Sequence, residues 1–241
     1  MKKIITIFAV LTLILCFTLA ACGEGDPSKS AGGIEGQESP AISDGSSPGP
    51  AFSDTPAIPT ATAAPEETKV FLDAGHGGLD PGCGFEGVSE KEITLAIVLA
   101  LKEKLEYSGI QVVLTRSGDQ DVDLDERWMM ANASGAELFV SIHCNSFPDD
   151  TVKGFEGYYY QDADSKRFAE LIFSAAENYP SIHTRSIREE DYRVLRNTVM
   201  PSVLLEIGYL SNAAERADLQ SGEYQDTLAQ AIFEGITAML T

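Results

Sequence analysis

The chain has 241 residues, 44% of them hydrophobic, with 17 lysines and arginines against 37 aspartates and glutamates, for a formal charge of −20 at pH 7. So acidic a chain excludes functions in which the protein holds nucleic acid, or lies on anionic lipid, through its own surface charge.

Residues 1–21 read as a secretory signal. Lys2 and Lys3 precede the uncharged run IITIFAVLTLILCFTL, and small residues close it in LAAC at 19–22. That ending resembles a bacterial lipobox, with Cys22 as the lipid-bearing first residue after cleavage. The apolar run is short for a membrane span. Residues 22–68 contain seven prolines and a single aromatic, Phe52. Such a segment cannot bury enough apolar surface to offset the entropy of ordering, so it is expected to be a lipid-anchored, disordered linker. The remainder, 69–241, has the length of one domain.

In that remainder KVFLD (69–73) predicts a strand. From Glu90, residues Ile93, Ala96, Ile97, Ala100, Leu101 and Leu105 recur at helical spacing and predict a helix to Tyr107. Strands follow at 111–116 and 137–144, with a helix at 124–134 between them. A strand at 155–161, a helix at 164–179, strands at 192–196 and 202–210 and a helix at 224–240 complete the pattern. Strands that are apolar throughout and alternate with helices predict an α/β fold: a single twisted, mostly parallel sheet with helices on both faces. In such sheets ligands bind beyond the carboxyl ends of the strands.

Polar residues at those ends are the candidates for chemistry. The first strand runs into DAGHGGLDPGCG, where glycines flank His76 and leave its ring uncovered. His143 stands near the end of ELFVSIHC. Glu206 lies between Leu205 and Ile207, where a carboxylate is costly unless paired or held for reaction. SEKE (89–92) offers two glutamates. At about 100° per residue, Glu90 falls within roughly 30° of the centre of the apolar stripe, and Glu92 about 130° away. Ser89 and Glu92 have the spacing of a capping box, which leaves Glu90 inward and in need of a cation. Two histidines and one such glutamate form the set that holds catalytic zinc with a fourth position open, and Glu206 could shuttle the proton. Cys144 points to the opposite face and reads as core. Whether it pairs with Cys83 is left open, since two cysteines make no framework. His183 follows no strand and reads as a surface residue.

The blocks VFLDAGHGGLDPG, EKEITL, VVLTR, LDERWMMAN, AELFVSIHCNS, GYYY, YRVLRNTVMPSVLLEIGYLSN and AIFEGI follow one another as in the zinc-dependent N-acetylmuramoyl-L-alanine amidases of type 3. The chain resembles that family over 69–241. The resemblance implies a peptidoglycan substrate, cut between the lactyl group of N-acetylmuramic acid and the L-alanine of the stem peptide. It implies Zn2+ on His76, Glu90 and His143, with Glu206 as the catalytic carboxylate. Asn145 and Arg196 are matched positions expected to touch substrate, with Asn212 bracing a loop and Arg116 and Arg127 structural. SFPDDTVKGFEGYYY has no room for the long helix that covers the zinc in some relatives, so an uncovered site is expected. With the lipid on Cys22 the expected location is the cell envelope, anchored to a membrane outside the cytoplasm; a protein activator is not legible. Another zinc hydrolase of the wall, a peptidase or a deacetylase, would use the same four groups. A non-catalytic wall-binding lipoprotein would have lost one of them.

Overall fold

The computed structural model describes residues 68–241; the expected signal segment, Cys22 and nearly all of the linker lie outside the described residues. Strand β1 (Lys69–Ala74) is followed by a small hairpin, β2 (Gly84–Phe85) and β3 (Val88–Ser89), and by helix α1 (Glu90–Tyr107). Then come β4 (Gln111–Leu114), α2 (Leu124–Ala133), β5 (Leu138–Asn145), β6 (Phe155–Tyr159) and α3 (Ala163–Ala176). The chain finishes with β7 (Thr184–Glu189), α4 (Arg193–Asn197), β8 (Ser202–Tyr209), α5 (Ala213–Leu219) and α6 (Gly222–Leu240). The sheet order is β4-β1-β5-β8-β6-β7, with every neighbouring pair parallel except β6 against β8.

Alternation along the strands builds two cores. Val70, Leu72, Val140, Ile142, Val203 and Leu205 pack under α1, α3 and α6. Phe71, Phe139, Leu204 and Tyr158 face the other way, onto α2 and α4. Each fully buried Leu, Ile or Phe contributes about 1.5–3 kcal/mol, and both faces contribute, so the strands are apolar throughout. The expected mostly parallel, two-faced sheet is therefore the observed one.

Three local expectations are corrected. YRVLR was expected as a strand over 192–196, but Arg193–Asn197 is helical. Consecutive Val194 and Leu195 both bury in the same core, whereas a strand sends neighbours to opposite faces. Edge strand β7 and helix α5 were not predicted. TRSIRE carries one apolar residue, Ile187, and its charged remainder suits an edge that must not pair further. Ser89 is the N-cap of α1 but makes no side-chain cap hydrogen bond. The carbonyls of Cys83 and Pro81 instead accept from Glu90 N and Lys91 N, so the preceding loop caps the helix.

Candidate active site

The turn after β1 is clamped from below by two arginines. Arg127, on α2, donates to Asp73 Oδ1 (2.7 Å), Ala74 O (2.8 Å) and His76 O (2.9 Å). Arg116 donates to Ala74 O (3.0 Å), Gly75 O (2.9 Å) and Lys91 O (2.8 Å). Buried Asp73 also accepts from Ser141 Oγ at 2.7 Å. Both guanidiniums are structural, as expected. They hold His76 at φ 58°, a left-handed conformation that costs about 1–3 kcal/mol and persists only where its surroundings over-determine it.

His76, Glu90 and His143 converge, their candidate ligand atoms all within 4.8 Å of one another. Glu90 Oε1 lies 3.1 Å from His76 Nε2 and 2.9 Å from His143 Nδ1. Glu90 opens α1 with 2% of its surface exposed; its oxygens also accept from Cys83 N and Cys144 N, each at 2.9 Å. Burial alone would raise this carboxyl, but hydrogen bonds and charge from His143 and His76 outweigh it and hold the group far below the carboxylate range. Burial likewise opposes charge on His76, and Glu90 with Asp80 overcome it, taking the imidazole up to about 9. Asp80 Oδ2 sits 2.7 Å from His76 Nδ1 and so turns Nε2 toward Glu90, the arrangement in which an outer carboxylate orients a ligating histidine.

The set is shaped for a metal ion. Ligand atoms around a tetrahedral ion with bonds of ~2.05 Å stand about 3.3 Å apart, close to the two spacings observed. The backbone leaves room for nothing else: a Cβ on Gly75 would lie 2.4 Å from His143 Cε1, and one on Gly82 2.5 Å from Glu90 Oε2.

Glu206 is the cross-strand neighbour of His143 on β8, and Glu156 is its neighbour on β6. Paired residues share a face, so imidazole and two carboxylates form one row across the sheet. Glu206 Oε2 is buried and has no hydrogen-bond partner among the described residues. Burial, with the Glu90 and Glu156 carboxylates adding and the His143 charge opposing, pushes its pKa up to about 7. The group faces a cleft of about 420 Å³ whose walls include Val122, Leu124, Tyr192, Arg193 and Leu204. The His76 and His143 side chains remain 25% and 20% exposed among the described residues.

The profile of the N-acetylmuramoyl-L-alanine amidase family matches residues 70–238. The chain belongs to this amidase family. The protein YqiI of Bacillus subtilis (strain 168) is 40% identical over 183 residues, covering 74% of this chain and 88% of its own. The N-acetylmuramoyl-L-alanine amidase LytC of the same organism is 37% identical over 189 residues, covering 75% of this chain but only 38% of its own. The catalytic domain of the amidase CwlV from Bacillus (Paenibacillus) polymyxa var. colistinus superposes with a TM-score of 0.69 at 39% identity. That match covers 72% of this chain and 98% of that one.

Within this amidase fold the remaining candidates separate. Asn145 Nδ2 donates to Glu156 Oε2 at 3.3 Å. Exposed Arg196 pairs with Asp191 and borders a different depression, beside Tyr160 and Met200; the fold does not bring it to the cluster. Arg193, passed over in the sequence, lines the cleft and pairs with Asp125 at 2.7 Å. Asn212 caps α5 and donates to Asp150 O at 2.8 Å. Cys83 and Cys144 form no disulfide among the described residues, and Cys83 Sγ lies 3.2 Å from Cys144 O. Burial pushes both thiols up, away from nucleophilic use. His183 is exposed, as expected. Asp80 and Glu156 were missed; Asp80 carried the one usable signal, an acid four residues after His76 inside a Gly-rich turn.

Proposed function

We propose that the protein is a zinc-dependent peptidoglycan amidase, hydrolysing the amide between the lactyl group of N-acetylmuramic acid and the L-alanine of the stem peptide. His76, Glu90 and His143 would hold the ion, two neutral imidazoles and a carboxylate being a zinc set that leaves one position open. Bound there, zinc supplies Lewis acidity toward water and the amide carbonyl. Glu206 takes the proton of the attacking water and returns it to the departing nitrogen of L-alanine. Asp80 orients the His76 ring, and Arg127 fixes its backbone. Val122, Leu124 and Tyr192 give the cleft an apolar wall against which the substrate can rest. The observation that carries this reading is Glu206 Oε2, a buried acceptor without a partner among the described residues, where a structural carboxylate would be satisfied.

The test is mass spectrometry of peptidoglycan fragments after incubation with the protein, with Glu206→Ala, and with a chelator. New peptides with a free N-terminal alanine, absent in both controls, are the expected result. Cleavage elsewhere in the stem would replace this reading with a peptidase. The same proposal gives residues 1–21 as signal, Cys22 as the lipid-bearing residue and 22–68 as tether, supported by the apolar run that ends in LAAC. As a flexible coil such a tether spans roughly 40 Å, which would confine cutting to wall near the membrane. No helix among the described residues is long and apolar enough to cross a membrane.

A further inference from the structure

The row that carries His143 and Glu206 continues outward through Glu156 to Ser186 on edge strand β7. Glu156 is 1% exposed and accepts six hydrogen bonds. The donors are Tyr209 Oη (2.6 Å), Tyr158 Oη (3.2 Å), Asn145 Nδ2 (3.3 Å), Ser186 Oγ (3.2 Å), Arg185 Nε (3.2 Å) and Arg188 Nη2 (2.5 Å). One buried carboxylate needs one cation, and this one is given two. The surplus charge faces outward: Arg185 is 34% exposed and Arg188 49%. Each guanidinium lies over a ring, Arg185 over Tyr209 and Arg188 over Tyr158. Tyr158 in turn meets Tyr192 edge-on at 5.3 Å, and Tyr192 lines the cleft with Glu206. Ring contacts therefore link Tyr192, on the cleft that Glu206 faces, through buried Tyr158 to a fixed, partly exposed guanidinium in an otherwise strongly acidic chain.

We propose that Arg188, with Arg185 beside it, receives a carboxylate of the stem peptide and so determines which peptidoglycan the cleft prefers. This rests on the amidase reading. The residue after L-alanine in a stem is a γ-linked glutamate, whose α-carboxyl is either free or amidated. Two extended residues reach about 7 Å, and β7 lies two strand spacings, about 10 Å, from β8; the arginine side chain spans the difference. The planar fork suits a carboxylate and not a carboxamide.

The test compares N-acetylmuramoyl-L-alanyl-γ-D-glutamyl-L-lysine, whose γ-carboxyl is tied up in an amide, with its α-amide as substrates of the zinc-loaded full-length protein, of Arg188→Gln and of Arg188→Lys. The wild type should favour the free acid in kcat/KM by roughly tenfold or more, mostly through KM. Arg188→Gln should bring the ratio near one, the loss falling on KM for the free acid, and Arg188→Lys should retain part of the preference. An unchanged ratio in Arg188→Gln, or no preference in the wild type, overturns the proposal. If the wild type cuts neither substrate, the amidase reading has failed instead. Calorimetric binding of the acid and the amide to the same three proteins then decides the role of Arg188.

Discussion

Gly75→Ala tests the cluster through a single methyl group. Gly75 does not occupy the left-handed region, so alanine meets no backbone penalty there. Its Cβ, however, would lie 2.4 Å from His143 Cε1, 2.6 Å from Nδ1 and 2.7 Å from Nε2, far inside van der Waals contact. The His143 backbone cannot retreat, because β5 is held between β1 and β8. The ring must swing toward the cleft and give up its 2.9 Å contact with Glu90. Overpacking of this kind costs about 1–3 kcal/mol, which at ~2–4 °C per kcal/mol lowers the Tm of the metal-free protein by several degrees. Displacing a ligand should cost zinc affinity more, at least the 10–100-fold typical of disturbed supporting residues. Chelator competition measures the Kd, and thermal melts with and without zinc separate the two effects. Wild-type zinc affinity in Gly75→Ala would refute the reasoning, because either His143 would not be a ligand or the glycine would not confine it.

Glu206→Gln should lower kcat by about 10²–10⁴-fold while zinc affinity stays within a few-fold of wild type, as read by muropeptide turnover and chelator competition. The same variant reports the pKa of Glu206, which is raised from 4.5 to about 7. A raised carboxyl contributes stability below pH 4.5 and loses it as pH rises through 7. Denaturant melts of metal-free protein should therefore show Glu206→Gln gaining on wild type between pH 5 and pH 8; a constant difference contradicts the assignment. Asp73→Ala leaves buried Arg127 without its carboxylate partner and should cost ~3–5 kcal/mol in urea unfolding, with a loss below ~1 kcal/mol counting against it. Cys22→Ser should move the protein from the membrane fraction to the soluble one without changing kcat on soluble fragments.

What could be read from the sequence was whatever contradicted its local pattern. His143 and Glu206 interrupt apolar strands, and the phase of α1 alone separates buried Glu90 from exposed Glu92. Glu156 gave no such signal, because FEGYY has no long apolar run for it to interrupt and most of its partners come from three other strands. Strand β7 was invisible because its strand character comes from pairing with β6 rather than from its own residues. Helix α4 is five residues long, too short for periodicity to distinguish it from a strand. The failed Ser89 cap shows the same limit: the residues suit a capping box, but the path of the 75–83 turn brings carbonyls to the helix start first.

Glu156 and Glu206 are side by side on adjacent strands, yet the fold treats them oppositely. Burial would raise both. Around Glu156 the Tyr209 hydroxyl, the charge of Arg188, the Tyr158 hydroxyl and the charge of Arg185 outweigh burial and hold the carboxyl below its ordinary value. Glu206 has an oxygen with no donor among the described residues and goes up to about 7. Neighbouring titratable groups whose surroundings push them apart mark a division of labour between fixed charge and mobile proton. Here the donors within reach are concentrated on Glu156, which leaves Glu206 able to accept a proton. That distribution also fixes the direction of the site. The side toward β5 carries His76, Glu90 and His143, the set proposed to hold the metal, and the side toward β7 carries two anchored guanidiniums that the proposed chemistry does not require. A substrate that reacts at Glu206 and bears a carboxylate two residues further on uses both sides, and a neutral one uses only the first.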